Sequence, residues 1–230
     1  LSKRHGAVDI NSFLDEGYLV EALINYLVKT GWSHGDQEFF STDDLLKLFT
    51  IDKVTKSSAI FDYDKLNWLN QHYIKNKDLS DIADMILPYL TDLNIKVSDR
   101  KYLENILSLG IDRDYNLKNI ASGLTYYFEN DLNYKSDDFA RLDPIKSKAV
   151  IENVIKKISN TEFNNKENIS NCIKEVCSDM SLKFKDVGPA VRFALTARLK
   201  APSIDELCFT LGKDKALKRL HDFCTFLSLA

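Results

Sequence analysis

The chain is poor in the residues that interrupt helices. Its 230 residues contain only 8 Gly and 4 Pro, too few for the many tight turns of a β-sandwich or a small barrel. Long apolar runs are also missing. No stretch approaches the ~20 consecutive apolar residues of a membrane-spanning helix, and the first residues lack the basic-then-apolar pattern of a secretory signal. The four cysteines, Cys172, Cys177, Cys208 and Cys224, form no C-x-x-C pair, and no His stands beside them at zinc-ligand spacing. No metal site is expected, and the thiols read as reduced core residues in a reducing compartment such as the cytoplasm. The four histidines, His5, His34, His72 and His221, open no H-x-G-H pattern.

Charge is plentiful but unevenly placed. The formal net charge of −3 argues by itself against a polyanionic partner, yet distribution outweighs the sum. Residues 77–140 carry 12 acids and 7 bases, a net of −5, whereas residues 183–221 carry 9 bases and 4 acids, a net of +5. The last quarter therefore reads as a basic face on an acidic chain.

Helical periodicity runs almost throughout, and the expected fold class is all-α. Ser41 reads as an N-cap followed by Asp43 and Asp44 in the first turn. Asp62 opens a helix with Leu66, Leu69 and Tyr73 on one face. Further stripes are Ile82, Met85, Ile86 and Tyr89, then Leu117, Ile120, Leu124 and Tyr127. A helix starting at Ser98 is expected to stop at Gly110 as a left-handed C′ residue. In the second half the stripes are Val150, Val154, Ile155 and Ile158; Ile169, Ile173, Val176 and Met180; and Leu217, Leu220, Cys224 and Leu227. Ser203 and Glu206 form a capping box before a helix closed by Gly212. Polar stretches near residue 76 and at residues 134–147 predict three helical units: 1–75, 76–143 and 144–230.

Three stretches from the first third, LSKRHGAV, DEGYLVEALINYLVKTGWSHGDQEFFS and VTKSSAIFDYDKLNWLNQHYI, follow one another without large gaps. The segment VGPAVRFALTARLKAPSIDELCFTLGKDKALKRL stands near the other end. Together they resemble the part of bacterial-type glutamyl-tRNA synthetases, class I aminoacyl-tRNA synthetases, that follows the second signature loop. The opening L-S-K-R is similar to the end of that family's KMSKS-type loop. The resemblance implies that the chain is the C-terminal part of a longer enzyme, beginning inside that loop. It would consist of a helical stem-contact unit with the loop remnant, then two helical anticodon-binding subdomains.

Amino-acid activation expels pyrophosphate from ATP, and a mobile lysine can neutralise the charge that develops on phosphate oxygens. By resemblance Lys3 is the ATP-contacting lysine, with Ser2 and Arg4 beside it. The parent enzyme would use ATP, Mg²⁺ and L-glutamate. The nucleotide-binding half is absent, so the chain alone is expected to form no glutamyl-adenylate. The polar SHGDQEFF stretch between two helices is a setting in which functional loops are common.

The C-terminal segment carries the expectation of tRNA binding. Single-stranded anticodon bases are read by cations, polar groups and an apolar wall. Arg192 and Thr196 stand at i, i+4 on a helix, followed by Arg198, Lys200, a Pro-containing loop and a helix whose free N-terminus would attract phosphate. By resemblance Arg192 matches a base-contacting arginine, and Ala201, Pro202 and Ile204 match the loop that packs on the anticodon. Ala197 stands where many relatives have Gly. Lys213 and Lys215 are within reach of phosphate or serve as solvated charges. Arg113, with Arg100 as its rival, is the candidate reader of the third anticodon base. The partners implied are tRNA for glutamate, L-glutamate and ATP, with the protein a cytoplasmic monomer. The alternative, suggested by the acidic balance, is an all-helical protein-interaction scaffold that binds no nucleic acid.

Overall fold

The computed structural model describes residues 9–55 and 60–229. Among these residues there are twelve α-helices and no strand. In chain order they are α1 (Ile10–Asp15), α2 (Val20–Lys29), α3 (Thr42–Leu48), α4 (Tyr63–Lys75), α5 (Leu79–Asp92) and α6 (Arg100–Gly110). They continue with α7 (Leu117–Phe128), α8 (Pro144–Ser159), α9 (Lys166–Asp179), α10 (Phe184–Thr196), α11 (Ile204–Leu211) and α12 (Lys213–Leu229). None of the described helices is long and apolar enough to cross a membrane. Packing divides the chain into two compact units, residues 1–125 and 126–230, with the division inside α7.

Local chemistry accounts for most helix starts. Ser41 and Asp44 cap α3 reciprocally: the Asp44 N–H donates to Ser41 Oγ (3.0 Å), and the Ser41 N–H donates to Asp44 Oδ2 (3.0 Å). Asp62, Asp99, Asp143 and Asn165 each accept a backbone N–H at a helix start. Helix α6 therefore starts from Asp99, not Ser98. At its other end Gly110 is not the left-handed terminator expected, because its φ is −113° and the chain runs on into a 3₁₀ turn, Ile111–Arg113. Its lack of a side chain serves packing, since a Cβ there would stand 3.0 Å from Leu124 Cδ2. Gly212, by contrast, does close α11 with φ +78°.

The core of the first unit is built on α2, α4, α5, α6 and α7. Leu66, Leu69, Ile74, Ile82, Ile86, Leu90, Leu103, Ile106 and Leu107 are all fully buried. Met85, expected on that stripe, is exposed, and Leu90 takes the next inward position. Two buried asparagines hold backbone that forms no ladder of its own. Asn25 accepts from the Phe40 N–H (2.7 Å) and donates to Glu38 O (2.9 Å), which fixes the end of the SHGDQEFF segment onto α2. Asn70 accepts from the Leu19 N–H (2.8 Å) and donates to Tyr115 O (2.7 Å). Close by, Gly17 O accepts from the Leu117 N–H (3.1 Å). Gly17 has φ +84°, and a Cβ there would lie 2.7 Å from Lys118 N. Only glycine satisfies both conditions.

The second unit packs α8 to α12 around Val150, Val154, Ile158, Ile173, Val191, Phe193, Leu207, Leu220 and Phe223. Cys172 and Cys208 are buried in it, and Cys177 and Cys224 are partly buried; all four are free thiols. Burial pushes the Cys208 thiol well above its usual range. The polar stretch before α8 is anchored by Tyr134, whose hydroxyl donates to Ala194 O (2.9 Å) with Arg219 O at 3.1 Å. Its ring packs against Phe193, Phe223 and Phe226.

Candidate nucleic-acid interface

The cationic region singled out from the sequence forms the end of α10, a short loop and the start of α11. Helix α10 is set at its beginning by Asp186, which accepts from the Lys183 N–H (3.3 Å) and pairs with Lys146 (2.7 Å). The hydrogen bond from Lys146 holds the Asp186 carboxyl below the usual carboxylate range. The helix ends on Ala197, which is left-handed with φ +53° and ψ +24°, its N–H reaching Phe193 O (2.7 Å). This is one form of helix-closing turn in which glycine is the usual residue.

Arg192 and Thr196 do lie one turn apart, but they do different things. Thr196 is 1% exposed. Its hydroxyl lies 2.8 Å from Arg192 O and 3.0 Å from Arg198 O and accepts from the Arg198 N–H (3.2 Å). It thus closes the turn from within. Arg192 is half-buried, and its Nε donates to Pro202 O (3.2 Å), bracing the loop across its mouth. Leu199 N–H donates to Asp138 Oδ2 (3.1 Å), a second brace from 61 residues away. The Arg198 guanidinium lies 5.8 Å from the Tyr126 ring centroid, at cation–π distance. Pro202 and Ile204, together with Ala201, are buried, so this stretch forms the loop's inner support, and Lys200 stands exposed.

The start of α11 is not the free N-terminus expected. Glu206 reaches back to accept from Ser203 Oγ (2.9 Å) and the Ser203 N–H (3.4 Å), and Asp205 adds a second acid to the first turn. The helix answers its own dipole with its own carboxylates, which repel phosphate. Lys166 of α9 faces Glu206 at 3.6 Å.

The positive count of residues 183–221 also overstates the basic surface. Four of its nine bases lie on α12 and turn back onto the protein. Lys213 Nζ donates to Ser159 O (2.8 Å) and Thr161 O (3.0 Å) at the end of α8. Lys215 Nζ donates to Tyr127 O (2.8 Å), and burial lowers its pKa below the usual lysine range. Lys218 pairs with Asp131 (2.6 Å) and Asp222 (2.8 Å). Arg219 is fully buried and donates to Leu195 O (2.5 Å), Glu129 O (2.9 Å) and Tyr126 O. The sequence reading missed Arg219. A signal was available, because Arg219 falls on the buried stripe of Ala216, Leu220, Phe223 and Leu227.

Elsewhere, Arg113 is exposed at the end of the 3₁₀ turn in the first unit and donates to Leu109 O (3.0 Å). Its rival Arg100 is gripped by Asp84 and Glu104 and donates to Ser80 O (2.5 Å). Ser2, Lys3 and Arg4 lie outside the described residues. Among the described residues no group of His, Cys, Asp and Glu is arranged to hold a metal ion.

Residues 81–224 match the sequence profile of an anticodon binding domain, and residues 1–68 match that of the catalytic domain of class I tRNA synthetases (E and Q). The glutamate–tRNA ligase of Geobacter sulfurreducens is 34% identical over 227 residues, 99% of this chain and 49% of the relative. That of Geotalea uraniireducens is 36% identical over 227 residues, with the same shares of 99% and 49%. A crystal structure of a glutamate tRNA ligase from Elizabethkingia meningosepticum, in complex with its amino acid, superposes with a TM-score of 0.84. That match has 26% identity and covers 99% of this chain and 48% of the other. The chain spans about half the length of the curated relatives it matches.

Proposed function

We propose, from the premise that this chain belongs to the glutamyl-tRNA synthetase family, that it is the tRNA-binding part of a glutamate–tRNA ligase. Three roles divide along it: stem contact and support of the KMSKS-type loop in residues 1–75, and anticodon recognition in residues 76–143 and 144–230. The observation that carries the reading is the braced loop at residues 197–203. There Arg192, Arg198 and Lys200 are gathered on a rigid helix end inside the region that matches the anticodon-binding profile. Such a constellation suits splayed, single-stranded bases, which are recognised by planar guanidinium groups and cations against a fixed wall.

In this reading Arg192 is the contacting residue. Thr196, Pro202 and Ile204 hold the loop's shape from beneath. Arg113, exposed at the end of the 3₁₀ turn, addresses the third anticodon base. The whole enzyme would join L-glutamate to its tRNA through a glutamyl-adenylate made from ATP with Mg²⁺. Lys3, assisted by Ser2 and Arg4, would be the residue of this chain that meets the triphosphate. The protein would act as a cytoplasmic monomer.

The test is a gel-shift titration of the chain. It uses tRNA for glutamate, the same tRNA with an altered third anticodon base, and an unrelated tRNA, at two salt concentrations. Affinity is expected to fall with the anticodon change, and Arg192→Ala is expected to weaken binding by about 1–3 kcal/mol. Equal binding to all three tRNAs, or a neutral Arg192→Ala, refutes base reading by this loop. No binding at low salt would return the scaffold alternative.

A further inference from the structure

Arg219 is a buried cation in a place where burial is costly unless acceptors surround the charge. Its Nη1 and Nη2 donate to three carbonyls that share one property: all lie at helix C-terminal ends. Leu195 O belongs to the last turn of α10, Tyr126 O to the last turn of α7, and Glu129 O follows α7 by one residue. These ends have surplus acceptors and a partial negative charge. A single guanidinium placed between two of them satisfies the acceptors and ties the ends together, and its planar fork suits that work better than a lysine.

The tied ends are the two that frame the loop at residues 197–203. Leu195 is two residues from left-handed Ala197. Tyr126 is the ring over which Arg198 is placed, 5.8 Å from its centroid. From the same α12 backbone, Arg219 O faces the Tyr134 hydroxyl, which also reaches Ala194 O (2.9 Å). One residue of α12 thus grips the end of α10 through its side chain and, through Tyr134, its main chain.

We propose that Arg219 is a positioning residue for the tRNA-contacting loop: by joining the C-terminal ends of α7 and α10 it sets the places of Arg192 and Arg198 without touching the ligand. The proposal rests on the functional reading above only for the identity of that ligand.

Amide hydrogen exchange on the 230-residue chain separates positioning from general stability. In Arg219→Lys, the Ala197 and Leu199 amides are expected to exchange about tenfold faster or more, while those of Ile173 and Val176 in α9 keep their rates. Uniform acceleration, or none at the loop, overturns the proposal. Should the variant not fold, exchange of the unaltered chain in low denaturant decides instead. The Ala197 and Leu199 amides must then open in the same step as Leu220 and Phe223 of α12, and opening together with α9 overturns the idea. In tRNA titration, Arg219→Lys and Arg192→Ala should be non-additive, because one acts through the other; strict additivity counts against the proposal. Were the unaltered chain to bind no tRNA, the functional reading would fall, and the exchange measurements would still decide the role of Arg219.

Discussion

Replacing Ala197 with Gly should stabilise the second unit, although it removes a side chain. Ala197 is the left-handed residue that ends α10, with φ +53°. For an L-residue that conformation costs roughly 1–2 kcal/mol, a cost glycine escapes. Against this, glycine adds about 0.4–1 kcal/mol of unfolded-chain entropy, and removing a half-buried methyl loses about 0.4 kcal/mol. The balance is about 0.5 kcal/mol in favour of Gly. With a urea m-value of about 2 kcal/mol/M, this moves the midpoint up by about 0.25 M. The assay must follow the correct unit. Both tryptophans, Trp32 and Trp68, lie in the first unit, so their fluorescence should not move, and the shift should appear in far-UV circular dichroism. A companion variant sharpens the argument: Ala197→Val, β-branched and far less tolerant of positive φ, should lose about 1 kcal/mol or more. A midpoint that falls for Gly, or one that is unchanged for Val, refutes the assignment of strain to this residue.

Asn70→Ala should destabilise the first unit by about 2–4 kcal/mol. It leaves the buried Leu19 N–H and Tyr115 O without their partner, and tryptophan fluorescence during urea unfolding measures the loss. Lys200→Gln should reduce the slope of log affinity for tRNA against log salt by about 0.7–0.9, the contribution of one phosphate contact. Lys213→Gln should leave that slope unaltered, because its amine is engaged with Ser159 O and Thr161 O; equal effects at the two positions would contradict the placement. His72 stacks on Phe39 with ring centroids 3.4 Å apart, and burial lowers its pKa from 6.5. The unfolded chain therefore binds the proton more readily than the folded one. Stability is complete above pH 6.5 and declines as pH falls towards the lowered value. His72→Phe should flatten that decline in thermal melts between pH 7 and pH 5.5, and an unchanged profile would mean that other groups carry it.

What could be read in advance depended on how local its cause was. The caps at Ser41, Asp62 and Ser203 and the closing role of Gly212 each depend on neighbours within four residues, and the structure has them where the pattern put them. Gly110 misled because glycine answers two different needs, a positive φ and a close neighbour. Only folding brings Leu124 against it. The charge count misled for a related reason. A tally of lysines and arginines does not show whether they face water or the carbonyl end of another helix, as Lys213, Lys215 and Arg219 do. In the candidate site, the one-turn pairing of Arg192 and Thr196 was legible, but the inward turn of the Thr196 hydroxyl was not. The brace from Asp138 to Leu199 joins residues 61 apart, a distance at which no periodicity speaks.

The dependence of α7 and α10 on α12 has a consequence for the order in which the chain is made. A ribosome adding about 5–20 residues per second delivers the 17 residues of α12 within about 1–3 s after α11. Until then the carbonyl ends of α7 and α10 wait for the cations that will cover them, and the loop at residues 197–203 lacks its frame. A nascent chain halted at Gly212 should have most of its helices and no framed loop, so the geometry of residues 197–203 waits for α12 to be made.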